Sequence, residues 1–109
     1  FPYTTLFRSW VKEKKESTAE VDFLISFEGK MIPIETKSGK TGTLKSLHLF
    51  MEAAPHNMAV RFYAGDVNIT TVKTPQNKTF FLLSLPYYLV SQINEYLIWF
   101  QEQIQKKGK

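Results

Sequence analysis

Three side chains define the chemistry open to this sequence: Asp22, Glu35 and Lys37. Asp22 lies in the run Glu20-Val21-Asp22-Phe23, and the other two lie in Ile34-Glu35-Thr36-Lys37. Side chains two apart on a strand share a face, so Glu20 and Asp22 point one way and Val21, Phe23 and Ile25 the other. By the same rule Glu35 and Lys37 share a face, with Ile32 and Ile34 opposite. Glu28-Gly29 reads as the turn between the two runs, since Gly29 adopts positive φ without steric cost. With Phe27 paired to Lys30, Asp22 falls opposite Glu35 and Glu20 opposite Lys37. A four-residue loop over 27–30 keeps that register, whereas an odd loop without a bulge splits the groups between faces.

Two carboxylates opposed at about 5 Å between Cβ atoms repel one another unless a cation lies between them. Magnesium suits the position, because it takes one or two carboxylates and fills its octahedron with water and phosphate oxygens. Asp22 and Glu35 are therefore the metal-ligand candidates and Mg2+ the expected cofactor. Lys37 would position or deprotonate the attacking water and offset charge building on a phosphate. Together Asp22, Glu35 and Lys37 are a catalytic set for phosphodiester hydrolysis. The plain alternative is a polar hairpin face with a Glu20–Lys37 ion pair, worth little at a surface. An Asp followed twelve residues later by Glu-x-Lys is a loose pattern that chance also produces.

These residues need strands to hold them. Residues 19–27 and 31–37 read as the two arms of the hairpin, from their period and their β-branched and aromatic content. Pro33 argues for an edge or locally unpaired position in the second arm. Leu44, Leu47, His48, Phe50 and Met51 fall at helical spacing, which predicts a helix over 43–54 with Thr43 as N-cap and Pro55 as its stop. Further strands are expected at 58–63, 67–72 and 79–85, the last nearly all apolar as in a strand buried on both faces. Pro86 then opens a long helix with Leu89, Ile93, Tyr96, Leu97, Phe100 and Ile104 along one stripe. The order predicts an α/β (α+β) domain, a central mixed sheet flanked by helices.

Composition narrows the partners. The 109 residues make one modest domain, and a hydrophobic fraction of 43% excludes a disordered chain. Cysteine is absent, so disulfides and thiolate metal sites are excluded; a cytoplasmic location fits. No apolar run is long enough to span a membrane, so no membrane partner is expected. The net charge of +4 is compatible with nucleic acid. Lys40 and Lys45, near the start of the first helix, are phosphate-contact candidates, and Glu20 is an accessory acid on the site face. Gly39-Lys40-Thr41 is not the end of a P-loop, because the motif needs glycine where Ile34 stands; no ATP site is expected in this piece. His48 reads as a packed residue and His56 as a loop residue without a metal-site companion. Residues 1–9, Phe-Pro-Tyr-Thr-Thr-Leu-Phe-Arg-Ser, match the translation of a widely used sequencing adapter. They are set aside as an adapter-derived artefact of an assembled, metagenomic gene, leaving 10–109 as the domain.

The strings A-E-V-D-F-L-I, I-P-I-E-T-K-S-G-K-T-G, L-K-S-L-H-L-F and L-S-L-P-Y-Y-L resemble the C-terminal domain that follows the ATPase module in a large prokaryotic AAA-type family, domain of unknown function 4143. The resemblance covers residues 10–96. It implies a PD-(D/E)xK, restriction-endonuclease-like core with Asp22, Glu35 and Lys37 at the site positions, in a fragment of a longer ATP-binding protein. Thr36 stands where valine is common in the family, and is expected to face away from the site and matter little. Nucleases of this fold often carry another acid on a helix before the first core strand, so the piece is expected to be inactive alone. Two functions remain open: a Mg2+-dependent nuclease domain, or a non-catalytic domain that binds nucleic acid or docks to the ATPase module.

Overall fold

The computed structural model describes residues 21–36 and 44–107, together with the backbone of residues 6–8. Six strands form one mixed sheet in the order β1-β2-β3-β4-β6-β5. They are β1 (Leu6–Arg8), β2 (Phe23–Phe27), β3 (Lys30–Thr36), β4 (Met58–Tyr63), β5 (Asn68–Lys73) and β6 (Thr79–Pro86). Helix α1 (Lys45–Ala53) connects β3 to β4, and α2 (Ile93–Lys107) closes the described chain. Strands β3, β4 and β6 run parallel, while β1–β2, β2–β3 and β5–β6 pair antiparallel.

The β2–β3 hairpin turns on Glu28 (φ 51°) and Gly29 (φ 80°). Two successive positive φ values match the right-handed twist of the flanking strands. The register follows: Phe27 pairs with Lys30, Ile25 with Ile32 and Phe23 with Ile34. Pro33 lies in an interior strand, not at an edge. It pairs with Leu24 on one side, while the pairing with β4 involves Ile34, Glu35 and Thr36. Proline is tolerated there because it stands just ahead of that second ladder.

Alternation along the strands builds two cores. On one face Ile25, Ile32, Ile34, Val60, Phe62, Leu83 and Leu85 pack against Ile93, Leu97 and Phe100 of α2. On the other, Leu24, Ala59, Phe80 and Leu82 pack against Leu47, Phe50 and Met51 of α1. Residues 79–85 thus serve both faces, as their unbroken apolar run requires. The last helix begins later than the sequence indicates. Pro86 ends β6, a 3-10 segment (Tyr87–Gln92) follows, and α2 starts at Ile93. The stripe itself holds: Ile93, Leu97 and Phe100 are buried, with Leu89, Tyr96 and Ile104 packed against them. Leu6–Arg8, set aside as adapter-like, pairs with Phe23–Ile25 and supplies the edge strand beside the hairpin. Thr43 lies outside the described residues; Leu44 takes the N-cap position and makes no side-chain cap.

Candidate functional site

Glu35 stands near the C-terminal end of β3 on the α1 face, the same face as Leu24 and Ala59. It is 7% exposed, one of three buried polar residues among those described, with Thr74 and Ser84. Asp22 stands one step beyond the last ladder pair, Phe23–Ile34, in a bend where its carboxylate meets Thr36. Strand alternation breaks at that step. Phe23 packs on the α2 face, as alternation requires, yet Val21 joins the α1 cluster, so the backbone turns at Asp22.

Thr36 fixes the result. Its amide N–H and its hydroxyl both donate to Asp22 Oδ2, each at 2.8 Å. Contrary to the expectation that it matters little, Thr36 holds the Asp22 carboxylate against the peptide linking Glu35 to Thr36. Valine at this position would keep the amide contact and lose the hydroxyl one.

Of the remaining sequence candidates, Lys37, Glu20 and Lys40 lie outside the described residues. Lys45 is exposed in the first turn of α1, a turn that carries no acidic residue. The sheet brings up two residues that the sequence reading missed. Arg61 on β4 pairs in register with Glu35, and Ser84 on β6 pairs with Arg61. Residues in register share a face, so Glu35, Arg61 and Ser84 form one polar row. A signal existed: Ser84 is the one polar residue inside the apolar stretch 80–86, and an isolated polar group in a buried strand must find a partner.

The opposite end of the hairpin is built for rigidity. Met58 N–H donates to His56 Nδ1 at 3.1 Å, so the proton of the neutral ring sits on Nε2, which reaches Met31 O at 2.8 Å. Lys78 Nζ donates to the carbonyls of Ala54 and His56, tying down the end of α1. A cavity of about 380 Å³ lies here, lined by Lys30, Met31, Phe50 and Pro55 among others, far from the carboxylates. His48 is a packed residue, its ring edge-on to Phe80 at 5.6 Å.

The whole is a small α/β domain: a mixed sheet, one helix on each face, and a polar row where its parallel strands end. Residues 3–88 match the family model described as Domain of unknown function (DUF4143), and the chain belongs to that family. No curated protein and no solved structure matches the chain. Among the described residues no helix is long and apolar enough to cross a membrane.

Proposed function

We propose that this chain carries the hydrolytic site of a PD-(D/E)xK, restriction-endonuclease-like domain, cleaving phosphodiester bonds of nucleic acid with Mg2+. In the natural protein it would work in the cytoplasm beside an AAA-type ATPase module. What supports the reading is the hairpin register, whose last pair, Phe23–Ile34, leaves Asp22 and Glu35 next in line at the end of the sheet.

The donor set fits a hard divalent cation. Two carboxylates are what Mg2+ takes from a protein when water and phosphate complete its shell; no third His, Cys, Asp or Glu joins them among the described residues. Asp22 and Glu35 would hold the ion, and Thr36 keeps Asp22 from swinging away. A bound Mg2+ supplies charge neutralisation and polarisation of the phosphate. Lys37, two residues after Glu35 in the sequence, would orient the attacking water and take up developing charge. Lys45 in the first turn of α1 would favour an anionic backbone, and Lys40 is a further candidate by its place in the sequence.

Magnesium or manganese titration by calorimetry tests this, on the natural protein and on its Asp22→Ala variant, with oligonucleotide cleavage by the natural protein compared with Glu35→Ala. Saturable binding lost in Asp22→Ala and cleavage lost in Glu35→Ala are the expected results. No binding by the natural protein, or unchanged cleavage in Glu35→Ala, would sink the reading. One observation favours a second, non-catalytic function. The two bonds from Thr36 to Asp22 would equally serve to close a hairpin in a domain that only binds nucleic acid or docks to the ATPase module.

A further inference from the structure

The polar row extends beyond Glu35. Glu35 pairs with Arg61, Arg61 with Ser84, and Ser84 with Asn68 of β5. The row crosses the sheet near the C-terminal ends of β3, β4 and β6, the end at which open parallel sheets present their ligands.

Arg61 is half-buried and held from two sides. Its Nε donates to Ser84 Oγ at 2.9 Å, and Ser84 is itself 1% exposed. The guanidinium carbon lies 4.4 Å from the centroid of the Tyr63 ring. Tyr63 is fixed in turn, its hydroxyl donating to Asp66 O at 2.8 Å. Gly65 makes room for that ring, since a Cβ there would come 2.6 Å from Tyr63 Cζ. A glycine, a tyrosine and a buried serine thus set the direction of one arginine. Stacking and a bond to Nε both leave the planar fork of the guanidinium pre-oriented, which is the geometry that matches phosphate oxygens in pairs.

We propose that Arg61 is a phosphate-binding residue of this domain, its terminal nitrogens taking a phosphodiester of a nucleic-acid strand lying along the polar row beside Glu35. The inference rests on the reading of the site as one for nucleic acid, and it does not require that the site cleave. The competing role is structural, with Arg61 serving as a countercharge for Glu35 across the strands.

Binding of a short fluorescent DNA duplex, measured by anisotropy in EDTA over a range of salt, separates the two. Arg61→Ala is expected to weaken binding roughly tenfold or more. It should also flatten the slope of log K against log salt by about 0.9, the loss of one phosphate contact. Arg61→Lys should keep the slope and lose part of the affinity, because a point charge replaces the fork. Gly65→Ala displaces Tyr63 without changing any charge and should weaken binding at unchanged slope; it carries the test with Arg61→Lys if Arg61→Ala fails to fold. Absence of binding by the unaltered chain overturns the proposal, as does unchanged affinity and slope in a folded Arg61→Ala. Cleavage in magnesium is a separate readout: its absence alongside Arg61-dependent binding sinks hydrolysis and leaves this inference standing.

Discussion

His56 is held by two contacts, one of which, the bond that Nδ1 accepts from Met58 N–H, requires the neutral ring. Met58 N–H occupies Nδ1, and a second proton would have to be placed there, facing that amide. Burial lowers the pKa of the imidazole below its ordinary 6.5, and the charges of Lys78 and Lys30 push the same way, against the bond to Met31 O, which raises it. The unfolded chain takes up its proton near the ordinary value, so below it the unfolded state binds more protons than the folded one. Stability from this group is therefore complete above about pH 6.5 and falls as the pH drops toward the lowered folded value. The urea midpoint should decline as the pH falls below about 6.5, and His56→Gln should remove much of that decline. An equal decline in His56→Gln would assign the pH dependence to other groups.

At the scale of elements the hairpin dominates, because its register sets the face on which Glu35 stands. Gly29 has φ 80° and open space around a would-be Cβ, so Gly29→Ala costs backbone strain alone. A loss of roughly 1 kcal/mol is expected, visible as a lower urea midpoint with an unchanged slope of free energy on urea. No loss would mean that the turn readjusts and that the register is pinned elsewhere. The register was legible in the sequence because side-chain period and turn chemistry are local properties. Strand β4 was legible to the residue, at 58–63, and the faces of both helices followed from their stripes. What escaped depends on contacts distant in the chain. The bend at Asp22 follows from Val21 finding the α1 core and from Thr36 claiming the carboxylate. The interior place of Pro33 depends on where β4 begins to pair, and Arg61 belongs to the site only because β4 lies beside β3. No spacing along the chain encodes those adjacencies.

The whole molecule has two cores that share one sheet, and this arrangement predicts how it unfolds. The α2 core holds Leu97 and Phe100 at 0% exposure, and the α1 core holds Leu47 and Met51 at 0%. The two faces are not independent modules. Residues of β6 alternate between them, Leu82 packing toward α1 and Leu83 toward α2, so losing either helix strips one side of the same strand. A strand so exposed leaves apolar surface in water. Either substitution, Leu97→Ala or Leu47→Ala, should therefore cost about 2–5 kcal/mol and lower one common transition. The check is urea unfolding followed by far-ultraviolet circular dichroism and by tryptophan fluorescence, to which Trp99 on α2 contributes. Coincident midpoints in both variants are the signature of one cooperative unit. If Leu47→Ala instead separates the two signals, the α1 face unfolds before the α2 face. The site would then lie on the less stable side of the sheet, because Glu35 and Arg61 share the face that α1 covers.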